Sequence, residues 1–196
     1  MKIIELRFPL SGSTLRIDHG YALYGALSRL TPGLHQLSNI AIDLIEGVPV
    51  DNQHLTLIPH STLKIRIPEP FLDLFLPLAG QRLELDGHLI DLAPPVFNDI
   101  LPSPALYSRI VTIKGYTSPE NFQEAIQRQL MSLGIHTALR IGPRRITCIS
   151  NHHIVGFGVR LLKLENEDSL LLQKVGLGGR RKMGCGFFNH HFTIDG

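Results

Sequence analysis

"ALYSRIVTIKGYTSPENFQEAIQRQLMSLG", Ala105 to Gly134, joins an alternating apolar run to a stretch that carries the start signals of a helix. "ALYSRIVTIKG" has the period of two expected of a strand with one buried face. In "SPENFQEAIQRQLMSLG", Ser118 suits an N-cap, Pro119 the first helical position, and Glu120 the positive end of the helix dipole. Downstream, "RRITCIS" and "HHIVGFGVRLLKL" read as strands, "NEDSLLLQKVG" as a short helix, and "GFFNHHFTI" as a last strand. The order is strand, helix, strand, strand, helix, strand.

The same order occurs once before. Lys2 to Pro9 alternates as a strand, and "DHGYALYGALSRLTPG" sets Leu23, Ala26, Leu27 and Leu30 on one helical stripe, with Asp18 as N-cap and Pro32-Gly33 as the stop. "LSNIAIDLIEG" and "STLKIRIP" alternate again, "EPFLDLFLPLAG" suits a short helix, and "QRLELDGHLIDLA" turns at Asp86-Gly87 as a type I′ hairpin. Between the two halves, "APPVFNDILPSP" holds four prolines in twelve residues. The pattern implies an α+β chain of two tandem ferredoxin-like (βαββαβ, RRM-like) domains, residues 1–93 and 105–196, joined by a linker at 94–104.

The chain has 196 residues, 43% of them hydrophobic, enough to bury a core. Its apolar runs break off short of the ~20 residues of a membrane-spanning helix, and its first residues read as a strand, so a cytoplasmic protein with no membrane partner is expected. Cys148 and Cys185 form no CxxC pair and read as buried thiols. A net charge of +2 does not by itself point to nucleic acid. Its distribution says more than the total: "RIGPRR" (140–145) and "KVGLGGRRK" (174–182) contain no acid, so two basic patches concentrate in the C-terminal half.

The second basic stretch opens "GLGGRRKMGCGFF", residues 176 to 188. A P-loop needs G-x-x-x-x-G-K-[ST] ahead of a helix, whereas Lys182 here precedes Met183 and a terminal strand. The dinucleotide fingerprint fails as well, because Arg181 stands where its third glycine must be. Two readings remain. One is a long hairpin connection; the other is a loop whose glycines Gly176, Gly178, Gly179, Gly184 and Gly186 admit a polyanion while Lys174, Arg180, Arg181 and Lys182 neutralise its phosphates.

This G-x-G-x-x-[basic]-x-x-G-x-G segment, between the last helix and last strand of a second ferredoxin-like domain, resembles the glycine-rich loop of the CRISPR-associated repeat-specific endoribonucleases of the repeat-associated mysterious protein superfamily. "RFPLSGSTLRIDHGYALYGALSRLTPGLHQLS" is similar to that family's first strand, first helix and histidine-bearing loop, most closely in the myxobacterial and cyanobacterial subtype. The resemblance spans almost the whole chain. It implies cleavage of CRISPR precursor RNA within the repeat, with no metal or other cofactor, by attack of a ribose 2′-hydroxyl on the adjacent phosphorus. The products would be a 2′,3′-cyclic phosphate and a 5′-hydroxyl, and the mature guide RNA would be retained. Partners would be the repeat RNA and subunits of a CRISPR effector complex. The noncatalytic RNA-binding subunits of such complexes share the loop and stand as the alternative.

Such chemistry needs a base, an acid and cations. The resemblance points to His35, in the L-H dipeptide after the first helix, and to Tyr21. His19, just after Asp18, sits where a helix dipole favours a neutral imidazole, and it shares the acid–base work in this reading. Read as residues alone, His35 also suits a helix-end cap and His19 an exposed first-turn position. The family's lysine shortly after the histidine has no counterpart in "NIAIDLIEGVPVDNQ", so a cation must come from elsewhere. Arg144 and Arg145 are expected to hold RNA phosphates. Of Phe187 and Phe188, one is expected in the core and the other is available to stack on a base. The His152-His153 and His190-His191 pairs split across strand faces and do not chelate by themselves.

Overall fold

The computed structural model describes residues 1–190. It divides into two compact units: Met1–Asp99 together with Lys182–Gly184, and Ile100–Arg181 together with residues 185–190.

In the first unit the elements run β1 (Ile3–Gly12), β2 (Thr14–Arg16), α1 (Gly20–Leu30), β3 (Ala41–Ile42), β4 (Val48–Pro49), β5 (His54–Thr56), β6 (Thr62–Pro68), β7 (Arg82–Leu85), β8 (His88–Leu92) and β9 (Val96–Asp99). β1 is the spine. It pairs antiparallel with β6 from Ile3 to Pro9, with β9 from Ile4 to Arg7, and with β8 from Leu10 to Gly12. With β3 beyond β6, the spatial order β3-β6-β1-β9 is that of a ferredoxin-like sheet, and the β7–β8 hairpin extends it as an arm.

The period of two decides which face packs. Leu6 and Phe8 of β1, with Leu63, Ile65 and Ile67 of β6, join Leu23 and Leu27 of α1 in one buried cluster. Each such side chain contributes about 1.5–3 kcal/mol when removed from water. On the other face Glu5 lies directly opposite Arg66, both buried, and its carboxylate accepts from Arg66 Nε at 2.8 Å and Arg7 Nε at 2.6 Å.

Several expectations need correction here. Asp18 is not the N-cap; His19 holds that position and makes no side-chain cap bond. "EPFLDLFLPLAG" forms two 3₁₀ turns, Glu69–Leu74 and Leu76–Leu78, in place of one helix. Pro70 and Pro77 each lack an amide hydrogen and fit only the start of a turn. The expected linker 94–104 contains β9, because Pro94-Pro95 extends the chain into a strand beside β1. A three-stranded sheet, β2-β5-β4, was not foreseen; its strands of two or three residues are too short to show alternation.

In the second unit β10 (Ala105–Val111), α2 (Pro119–Ser132), β11 (Ala138–Ile149), β12 (His152–Leu162), α3 (Asn166–Val175) and β13 (Asn189–His190) form the sheet β11-β12-β10-β13 with its helices. Ser118 caps α2 as expected, its Oγ accepting from the Asn121 amide. Phe122 of α2 meets Phe157 of β12 with ring centroids 4.7 Å apart, inside a cluster with Leu106, Val159, Leu161, Leu172 and Phe188. β11 starts six residues before the expected Arg144, because a register shift between Ile141 and Arg144 accommodates Gly142-Pro143 within the strand. The hairpin tip places Ser150 and Asn151 at φ 48° and 63°, the left-handed pair of a type I′ turn.

Phe187 and Phe188 are both buried, so neither offers a ring to a base. Cys185 is a buried thiol as expected, whereas Cys148 is half-exposed. The rest of the expected last strand, with His191, lies outside the described residues. Among the described residues no helix is long and apolar enough to cross a membrane.

Candidate functional site

His19, Tyr21, His35, Lys182 and Gly184 belong to the first unit; Arg144, Arg145, Lys174, Gly176, Gly178, Gly179, Arg180, Arg181 and Gly186 belong to the second.

α1 separates the two candidate histidines. Its eleven residues span roughly 16 Å at about 1.5 Å each, with His19 before the first turn and His35 after the last. His19 is buried, and the Ile45 amide donates to its Nε2 at 2.9 Å. Nε2 therefore carries a lone pair, and Nδ1–H donates to the Arg16 carbonyl at 2.7 Å. Both ring nitrogens are engaged with backbone, and protonating Nε2 would break the Ile45 bond. In this arrangement the His19 ring ties β2 and the irregular segment after β3 to the start of α1, a structural use that the expectation of a catalytic base did not include. Tyr21, in the first turn of α1, is exposed at 41%.

His35 stands differently. Beyond α1 the chain turns tightly, with the Leu34 amide on the Thr31 carbonyl and the Gln36 amide on the Gly33 carbonyl. Leu34 points into the core and fixes the turn, which leaves the His35 side chain exposed. Its backbone is not left to solvent: Lys182 Nζ donates to the Leu34 carbonyl at 2.8 Å and to the His35 carbonyl at 3.1 Å. Burial pushes the Lys182 ammonium down from the ordinary lysine range.

The loop cations expected to act alike therefore differ. Lys182 is committed to the histidine turn, while in the second unit an Nη of Arg181 donates to the Lys174 carbonyl at 2.8 Å, in the last turn of α3. Arg180 is half-exposed.

The glycines also have internal reasons. Gly186 has φ 65°, and a Cβ there would lie 2.2 Å from the Leu177 carbonyl oxygen; Gly176 would meet the Gly186 oxygen at 2.5 Å, and Gly178 the Thr112 oxygen at 2.5 Å. Close self-packing, more than a polyanion, accounts for them. Gly179 is the exception: it is exposed with nothing within 4 Å of such a Cβ. Gln129 of α2, which no sequence signal marked, accepts the Gly178 amide through Oε1 at 2.8 Å and steadies the loop.

Arg144 is exposed and Arg145 half-exposed, both on β11 beside the register shift. His152 and His153 are exposed on β12, whereas His190 Nε2 donates to the Leu101 carbonyl at 2.9 Å. β10 lies between β12 and β13, so His190 does not face His152 or His153 across neighbouring strands. Among the described residues no group of three His, Cys, Asp or Glu side chains is arranged to hold a metal.

Fold and site together define a two-domain ferredoxin-like protein with a glycine-rich loop before its last strand and an exposed histidine after its first helix. The family model described as Cas6 CRISPR matches residues 4–192, and the chain belongs to that family. It is 37% identical over 188 residues to the CRISPR-associated endonuclease Cas6 of Myxococcus xanthus (strain DK1622), covering 96% of this chain and 81% of that protein. Among solved structures it resembles a CRISPR associated protein Cas6 with a TM-score of 0.66 at 10% identity, covering 97% of this chain and 99% of the other. It also resembles Thermus thermophilus Cse3 bound to an RNA representing a pre-cleavage complex, with a TM-score of 0.59 at 12% identity over 96% of this chain and 98% of that one.

Proposed function

We propose that this chain is an endoribonuclease that cuts CRISPR precursor RNA within the repeat, without a metal, and keeps the product. The observation that carries the reading is the likeness to the Myxococcus xanthus endonuclease along nearly the whole chain. The nucleophile is part of the substrate: the 2′-oxygen loses its proton and bonds to phosphorus, the P–O5′ bond breaks, and O5′ takes a proton. A 2′,3′-cyclic phosphate and a 5′-hydroxyl result. The protein must move protons and steady the phosphorane charge, and a metal is not needed for either. His35, exposed on an ordered turn, transfers a proton in the reaction. Tyr21 orients the reacting ribose. Arg144, Arg145, Lys174 and Arg180 hold RNA, and the bare Cα of Gly179 leaves room for it to approach.

The test is cleavage of a matching repeat RNA in EDTA. A cyclic-phosphate end is expected, and a 2′-deoxy substitution at the cut abolishes the reaction. Binding without cleavage would favour the noncatalytic subunit, and products that need added metal would refute the mechanism. Arg144→Ala and Arg145→Ala are each expected to weaken binding alike for matched and unmatched RNA, and to lower the slope of log Kd against log salt by roughly 1. An unchanged slope removes that arginine from the interface.

A further inference from the structure

We propose that Lys182 is a positioning residue for His35: its ammonium pins the backbone of the histidine turn and so sets where the imidazole points, in place of gripping RNA. The inference rests on the reading of His35 as the proton-transfer group.

Two of the three N–H donors of an ammonium are spent on the carbonyls of consecutive residues, Leu34 and His35. Those carbonyls follow the C-terminal end of α1, where helix polarity favours a cation. The lysine is itself held in place, since Lys182, Met183 and Gly184 pack into the first unit as a short clasp. A Cβ on Gly20, the first residue of α1, would lie 2.3 Å from the Met183 carbonyl oxygen and 3.0 Å from Leu44 Cδ2. A Cβ on Gly184, at φ 81°, would lie 2.4 Å from the same Leu44 methyl. Leu44 is thus gripped between two positions that tolerate no side chain. One three-residue segment meets α1 at its first residue, next to Tyr21, and holds the turn beyond its last, at His35. Both exposed candidate groups are registered to it.

An ammonium used in this way contributes through geometry. Displacing a catalytic group by about 1 Å costs on the order of 10²-fold in rate. Lys182→Met keeps the length and apolar stem and removes the donors. Its single-turnover cleavage rate is expected to fall by roughly 10- to 100-fold while RNA Kd changes by less than about 2-fold. Amide hydrogen exchange of residues 31–36 in the RNA-free protein should quicken, and Lys182→Arg, which keeps charge and donors, should restore slow exchange and much of the rate. A loss of RNA affinity matching the loss of rate, with exchange unchanged, overturns the proposal and makes Lys182 a phosphate contact. Unchanged exchange and unchanged rate overturn it too. Because exchange is read without substrate, it tests the pin even if His35→Ala cleaves normally, an outcome that would refute the catalytic reading and leave the pin standing.

Discussion

His35→Ala is expected to cleave repeat RNA at least ~10²-fold more slowly than the native protein, with RNA affinity within about 2-fold. Leu34 buries its side chain beneath the turn and Lys182 holds the two carbonyls, so trimming His35 removes an exposed imidazole and leaves its support in place. Comparing the pH–rate profiles of the two proteins separates a proton-transfer role from a contact role: the profiles should differ in shape if His35 moves a proton, and differ only in height if it is a contact. His19→Ala gives the opposite signature. It orphans the buried Ile45 amide, at about 1–3 kcal/mol for an unsatisfied group, and removes the bond to the Arg16 carbonyl, so it is read first as lost stability in urea. A stable His19→Ala protein that binds RNA and fails to cut would return His19 to the chemistry. A His35→Ala protein that cuts at the native rate would remove His35 from it.

Arg66→Met is expected to lower unfolding free energy by about 3–5 kcal/mol near neutral pH, the usual cost of stranding a buried charge. Glu5 and Arg66 face each other across β1 and β6 at 3% exposure each. Burial pushes the Glu5 carboxyl up, but the Arg66 guanidinium beside it and the hydrogen bonds from Arg7 and Arg66 outweigh that and hold it below the ordinary carboxylate range. A carboxyl whose folded value is depressed stabilises fully above its unfolded value, near pH 4.3, and loses that contribution as pH falls through the folded value. The native protein should therefore lose stability below about pH 4 more steeply than Arg66→Met does. Arg7 still reaches Glu5 in the variant, which sets the loss at the lower end of the range. Adding Glu5→Gln to Arg66→Met should recover part of the loss; urea titrations at neutral and acid pH measure all of these, and a loss under about 1 kcal/mol would show the pair to be no more than a surface ion pair.

The repeat of strand, helix, strand, strand was readable because it rests on local signals: alternation in "STLKIRIP", the Ser118-Pro119-Glu120 start, the Asp86-Gly87 turn with φ 51° and 85°. What escaped depends on partners distant in sequence. β9 is a strand because β1 offers it an edge, and nothing in "VFND" alone says so. His19 looked like a first-turn residue and proved to be a tie between backbones, because the Ile45 amide that claims it lies 26 positions away. Arg180, Arg181 and Lys182 are alike in letters, and only the fold separates a half-exposed arginine, a cap on α3 and a pin on the histidine turn. The glycines read as places where a polyanion could come close, and what approaches most of them in the fold is the chain itself.

The first unit is not a continuous stretch of chain, and this gives its assembly a clock. Residues 1–99 leave the ribosome without Lys182–Gly184, the segment that closes over Leu44 and anchors the His35 turn. Strands and α1 can collapse early, but the turn bearing His35 acquires its lysine only after the intervening residues 100–181 have been made. A chain that stops at residue 99 thus carries the imidazole without the ammonium that holds its turn.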